Sequence, residues 1–103
     1  MRIVIDGAGE VGSHLAKMLR AESNDIMVID SDAQRLEKLA ATLDIDTLQG
    51  SPSSLSVLKQ AGVGKADLFI AVFPNAGQEI NIVSAVMAKN LGAAKVIARI
   101  SEE

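Results

Sequence analysis

Short apolar runs alternate with amphipathic stretches from one end of the chain to the other, and the spacing of each predicts an element. Arg2 to Asp6, RIVID, is β-branched and stops at a glycine, as a buried strand does. From Val11 to about Glu22, the residues Val11, Leu15, Met18 and Leu19 recur at helical spacing. Ile26 to Asp30, IMVID, is a second strand, and Ser31-Asp32 opens a second helix that runs to about Leu43 with Leu36, Leu39, Ala40 and Leu43 on one face. Asp46 to Gln49 fits a short third strand. Gly50-Ser51-Pro52-Ser53 is a loop, with Ser53 as the cap of a short helix that turns Leu55, Leu58 and Ala61 inward and closes at Gly62. Leu68 to Phe73, LFIAVF, is the most hydrophobic strand. After the loop Pro74-Asn75-Ala76-Gly77, a longer helix from Gln78 to Leu91 carries Ile82, Val83, Val86, Met87 and Leu91 and is capped by Gly92. Lys95 to Ile100, KVIARI, is the last strand.

Strands that alternate with helices predict an α/β fold with a doubly wound parallel sheet. The expected layout is three layers, α/β/α, with strand order 3-2-1-4-5 and a ligand at the switch point between strands one and four. The composition agrees: 49% of the 103 residues are hydrophobic, yet there is no Trp, no Tyr and only two Phe, so the core is aliphatic and suited to a sheet buried on both faces. With 10 basic and 13 acidic residues the net charge is −3 and no basic run stands out, which argues against nucleic acid as a partner. The absence of cysteine excludes thiolate chemistry, and a single histidine, His14, argues against a histidine-built metal site. No apolar run approaches the roughly 20 residues needed to span a bilayer, so the expectation is a cytoplasmic domain without direct membrane insertion.

The chemistry concentrates in Gly7-Ala8-Gly9-Glu10-Val11-Gly12. This G-x-G-x-x-G follows a strand and opens a helix, the context in which the motif is informative. Gly7 permits the turn off the strand, Gly9 leaves room for phosphates to approach the backbone, and Gly12 lets helix and strand pack closely. The helix then offers unpaired N–H groups and a positive dipole end to an anion. Asp30 ends the second strand 18 residues after Gly12, close to the roughly 20 expected for an acidic residue that takes the ribose hydroxyls. A carboxylate there repels a 2′-phosphate and favours NAD over NADP. Asp30, with Ser31 and Asp32, also fits a simple helix cap. The expected fold is thus Rossmann-like, with NAD as cofactor.

These residues, taken with the stretches VIDSDAQRLEKLA, LQGSPSSLSVLKQAGVGKADLFIAVF and KVIARI, make the chain resemble the N-terminal NAD-binding domains, also called RCK or KTN, of Trk potassium uptake systems. The resemblance covers essentially the whole chain and implies a regulatory module that binds NAD(H), or ATP in some relatives, and gates a membrane-embedded potassium transporter subunit. It implies a homo-oligomer, peripheral to the inner membrane through that transporter. Carried onto this sequence, Gly7 to Val11 would line the pyrophosphate, Asp30 and Ser31 would meet the adenosine ribose, Gly50 and Ser51 would border the adenine, Phe73 and Pro74 would flank the site, and Arg99 would reach the ligand from the far side of the switch point. Glu10 stands where ATP-binding relatives often carry Arg, which disfavours a triphosphate. Asp6 stands where the family usually has an apolar residue. Gly50-Ser51-Pro52-Ser53 replaces the usual Gly-Asp-Ala-Thr/Ser, and the loop from Phe73 to Gln78 looks longer than in relatives.

Other readings compete. His14 fits a surface or packing residue, Met18, Met27 and Met87 fit core filler, and Glu79 and Asn81, at the start of the fourth helix, fit residues that face the cleft and equally an ordinary polar helix start. The alternatives to the regulatory reading are the cofactor-binding half of an NAD-dependent dehydrogenase and an ATP-binding RCK domain. The expected reading is a domain without chemical turnover. The family usually continues into a sixth strand and a further ligand domain, so the chain looks like a fragment, with a last strand whose exposed edge carries Val96, Ile97 and Ile100 and favours self-association.

Overall fold

The computed structural model describes residues 1–74 and 77–100. Asn75 and Ala76 of the expected loop, and the closing Ser101-Glu102-Glu103, lie outside the described residues. In chain order the elements are β1 (Arg2–Asp6), α1 (Glu10–Ala21), β2 (Asp25–Asp30), α2 (Ala33–Ala40), β3 (Asp46–Gln49), α3 (Leu55–Gln60), β4 (Leu68–Ala71), α4 (Gly77–Leu91) and β5 (Lys95–Ala98). The five strands form a parallel sheet in the order β3-β2-β1-β4-β5.

Successive side chains on a strand point to opposite faces, and the core divides accordingly. Ile3, Ile5, Ile26, Val28 and Ile70 face α1 and α2, packing on Ala16, Leu36 and Leu39. Val4, Ile29, Phe69 and Ala71 face α3 and α4, packing on Leu58, Ala61 and Ala88. The result is the three-layer arrangement expected for a parallel sheet whose strands are apolar on both sides.

Several boundaries and faces differ from the periodicity. On α1, Gly12 and Ala16 are buried and Leu15 and Leu19 partly so, while Val11 and Met18 are exposed, so Met18 is not core filler. Met27 and Met87 are partly buried against the α3–α4 core. Helix α2 stops at Ala40, short of Leu43, and is followed by a turn in which the Thr42 and Leu43 N–H groups both donate to the Leu39 carbonyl. Ser54, not Ser53, caps α3, its hydroxyl accepting from the Val57 N–H at 3.4 Å, and Leu55 is exposed rather than inward. A 3-10 turn at Val63–Lys65, buried at Val63, was not expected.

The largest departure is α4. Its inward face is Asn81, Ser84, Ala85 and Ala88, and Ile82, Val83 and Val86 are exposed. The sequence offers two stripes at helical spacing. Small residues on the inward stripe let the helix axis lie close to the sheet, while the bulkier stripe remains outside. The two strands at this side are also short: β4 ends at Ala71 and β5 at Ala98. Pairing nevertheless continues past them, since the Val72 N–H donates to the Asp6 carbonyl and the Arg99 N–H to the Ala71 carbonyl, each at 2.9 Å.

Candidate functional site

The C-terminal ends of β1, β2, β4 and β5 meet at one edge of the sheet, and the glycine turn sits among them. Gly7 leaves β1 with φ +126° and donates its N–H to the Ile29 carbonyl at 2.7 Å. Only glycine holds that conformation comfortably. A Cβ on Gly12 would lie 1.8 Å from the Gly7 carbonyl oxygen, so helix and turn touch backbone to backbone. Gly9 caps α1 without a side-chain hydrogen bond, so the helix opens with its first-turn N–H groups uncapped by any side chain. A Cβ on Gly9 would meet the Pro74 ring at 2.7 Å. The bare backbone at Gly9 thus accommodates Pro74, which closes over the turn from the end of the neighbouring strand.

Asp30 is fully buried. One carboxylate oxygen accepts the Ala8 N–H at 2.7 Å, and the other accepts the Asp32 N–H at 2.8 Å. The Arg35 guanidinium stands 3.7 Å from it and also 3.7 Å from Asp32. Asp30 thereby fastens the glycine turn to the start of α2. Its charge is met by two N–H groups and by the guanidinium 3.7 Å away. The cap of α2 is Asp32, which accepts from the Gln34 and Arg35 N–H groups.

A cavity of about 880 Å³ opens at this edge. Of the residues singled out in the sequence, Ala8, Gly9, Glu10, Val11, Phe73, Pro74 and Arg99 line it. Gly7 and Gly12 shape the turn from behind. Asp30, Ser31, Gly50 and Ser51 do not line the cavity, although the Gly50 N–H donates to the Asp30 carbonyl at 3.0 Å and so keeps the two strand ends together. The cavity instead extends between α1 and α2, where Ser13, Lys17, Arg35, Lys38, Leu39 and Thr42 form its walls.

Asn81, which the sequence leaves between a cleft-facing residue and an ordinary helix start, lines the cavity. It is buried, accepts the Phe73 N–H at 2.8 Å and donates to the Arg99 carbonyl at 3.4 Å. It thereby ties together the ends of β4 and β5, on the two sides of the cavity mouth. An amide in the first turns of a helix that follows a strand by a short loop was the available signal, because an amide carries a donor and an acceptor on separate atoms and can bridge two strand ends.

Behind the turn lies Asp6, also fully buried, with neither carboxylate oxygen hydrogen-bonded among the described residues. Ser84 faces it but gives its hydroxyl proton to the Pro52 carbonyl at 2.6 Å. Burial pushes the Asp6 carboxyl up to about 8. The neighbouring Asp30 adds to the rise.

A parallel sheet wound 3-2-1-4-5, with a glycine turn and a helix N-terminus at its switch point, defines a Rossmann-like α/β domain. The chain belongs to the TrkA-N domain family, whose profile matches residues 3–103. It is 45% identical over 100 residues to a Trk system potassium uptake protein TrkA homolog of Archaeoglobus fulgidus, covering 97% of this chain and 22% of that protein, so it spans about a fifth of that relative's length. Among solved structures, the Kef C-terminal domain of Shewanella denitrificans in its AMP-bound form superposes with a TM-score of 0.71 at 17% identity, covering 94% of this chain and 57% of that one. The TrkA-N domain of the inner membrane protein YbaL from Escherichia coli gives a TM-score of 0.66 at 20% identity, covering 94% and 86%. At these identities the structural likenesses establish the fold.

Proposed function

We propose that this domain binds NAD(H) across the glycine turn and uses it to regulate potassium uptake through a membrane-embedded transporter subunit. The observation that carries the reading is the open N-terminus of α1, which faces a cavity walled by the glycine turn on one side and by Arg99 on the other. Backbone N–H groups and the helix dipole there suit a pyrophosphate, and the guanidinium of Arg99 suits a phosphate or a polar nicotinamide contact. Asp30 and Ser31 at the end of β2 would meet the ribose, Gly50 and Ser51 would border the adenine, and Phe73 and Pro74 would flank the site. Glu10 on the cavity wall disfavours the extra charge of a triphosphate, so ATP is the weaker candidate.

The Trk name of the similar A. fulgidus protein supports the potassium reading. No helix among the described residues is long and apolar enough to cross a membrane, which fits a regulatory unit held at the membrane by a transporter. The mechanism would be ligand-biased switching without chemical turnover: NAD+ and NADH bind two conformations with different affinity, with a coupling of about 1–3 kcal/mol. The exposed apolar face of α4 and Ile97 and Ile100 at the end of the sheet support a homo-oligomer.

Rubidium uptake by cells that carry the full-length protein tests the regulatory role. Arg99→Ala should blunt the response of uptake to a shift in cellular NADH. Uptake that follows NADH equally in both forms would count against the reading.

A further inference from the structure

Two residues that line the cavity lie beyond the regular strands. Phe73 follows the end of β4 at Ala71, and Arg99 follows the end of β5 at Ala98. The Arg99 N–H still pairs with the Ala71 carbonyl at 2.9 Å. The Phe73 N–H and the Arg99 carbonyl have no backbone partner among the described residues. Both are taken by one side chain: the Asn81 Oδ1 accepts the Phe73 N–H at 2.8 Å, and Nδ2 donates to the Arg99 carbonyl at 3.4 Å. Asn81 is only 4% exposed and comes from α4, so the site is braced here from another layer of the fold. Its oxygen is engaged at Phe73 and its nitrogen at Arg99, so its effect on a ligand passes through those two backbones.

We propose that Asn81 is a positioning residue for the nicotinamide half of the dinucleotide, which it serves by holding the Arg99 backbone where the guanidinium reaches that half. The proposal rests on the dinucleotide reading above and divides the site between its two halves. In a sheet wound this way the adenosine ribose lies at the end of the second strand and the pyrophosphate at the start of the first helix. The rest of the ligand then crosses β1 toward β4 and β5, where Phe73 and Arg99 stand. An arginine side chain has many rotamers, and ordering it on a ligand costs free energy. A backbone fixed in advance lowers that cost, because the search is confined to the side chain. Asn81 touches nothing at the glycine turn or the end of β2, so the adenosine half is held without it.

NADH fluorescence titrations of the parent, Asn81→Ala, Arg99→Ala and the double variant test this, with 5′-AMP displacing NADH to report the adenosine half. Far-UV circular dichroism checks the fold of each variant. Asn81→Ala should lower NADH affinity about tenfold, as the loss of a hydrogen-bonded tie does, and leave 5′-AMP affinity nearly unchanged. In the Arg99→Ala background the same substitution should cost little further, because the two residues act as one unit. Equal losses for NADH and 5′-AMP, or an additive loss in the Arg99→Ala background, would overturn the positioning role and leave the dinucleotide reading standing. The parent supplies a second arm that holds even where Asn81→Ala does not fold. In its 15N spectra NADH should shift the Asn81 side-chain amide signals and 5′-AMP should not. Signals that NADH leaves in place would overturn the proposal. A parent that binds 5′-AMP and not NADH would overturn the dinucleotide reading, and the proposal with it.

Discussion

The Ala8 N–H donates to the Asp30 carboxylate at 2.7 Å across 22 residues of sequence, inside the protein. This bond joins the glycine turn to the end of β2, and the second oxygen of the same carboxylate holds the Asp32 N–H. Removing the carboxylate therefore strands two donors, one of them buried. Asp30→Ala should lower stability by about 2–4 kcal/mol, since each unsatisfied group costs roughly 1–3 kcal/mol. Asp30→Asn, which keeps an acceptor, should cost less. Urea denaturation of the two variants checks the order, and equal stability of Asp30→Ala and the parent would refute the clasp.

The closeness of Gly9 and Pro74 makes a paired test of the turn. A methyl group on Gly9 would sit 2.7 Å from the Pro74 ring, whereas one on Gly12 would collide with the Gly7 backbone at 1.8 Å. Gly12→Ala should prevent folding, because backbone on both sides has nowhere to go. Gly9→Ala should destabilise by about 1–3 kcal/mol, the usual cost of overpacking, and Pro74→Ala in the same chain should recover part of it. Thermal unfolding of the single and double variants measures the coupling.

Stability should also report the buried Asp6. Its carboxyl is raised from 3.8 to about 8, so the folded protein holds a proton that the unfolded chain releases. Stability is then highest below the unfolded value and falls as pH rises from about 4 to about 8, by up to roughly 1.4 kcal/mol per pH unit, levelling off above that. Asp6→Asn removes the titration. The stability difference between variant and parent should shift in favour of the variant as pH rises from 5 to 8. Denaturation curves that run parallel across that range would contradict the assignment.

Much of this architecture is visible in the sequence. Four apolar runs, each ended by a turn residue or a polar one, and the short stretch Asp46 to Gln49 predict the strands, and the alternation with helices predicts their parallel order. The glycine turn is recognisable because Gly7, Gly9 and Gly12 lie between a strand and a helix. Helix faces are harder to read. On α4 the bulky residues Ile82, Val83 and Val86 form a more apolar stripe than Asn81, Ser84, Ala85 and Ala88, yet the small stripe is the one that meets the sheet. Periodicity reports that a helix has a face, and close packing decides which face that is. The bond from the Ala8 N–H to Asp30 is not legible for a related reason: the position in sequence is the same whichever groups the carboxylate meets. Lys17 on α1 is remote in sequence from Arg35 and Lys38 on α2, and the three line one cavity only because the two helices lie side by side.

The apolar face of α4 leads to a test of assembly. Val83 is 47% and Val86 55% exposed, so charge placed there disturbs no core. Val83→Glu/Val86→Glu should keep the circular dichroism spectrum of the parent and lower its tendency to self-associate. Sedimentation velocity over a range of concentrations reads this directly. A parent protein that stays monomeric at high concentration would remove the homo-oligomer from the account.

The central claim is that the open N-terminus of α1 holds the pyrophosphate of a nicotinamide dinucleotide, and NADH fluorescence on titration with the protein tests it most directly. The chain has no Trp and no Tyr, which leaves the nicotinamide signal nearly free of protein background. The account predicts saturable binding that NAD+ competes away, that ATP competes poorly, and that Arg99→Ala weakens. Absence of NADH binding, with ATP bound tightly instead, would contradict it and assign the glycine turn to a nucleoside triphosphate.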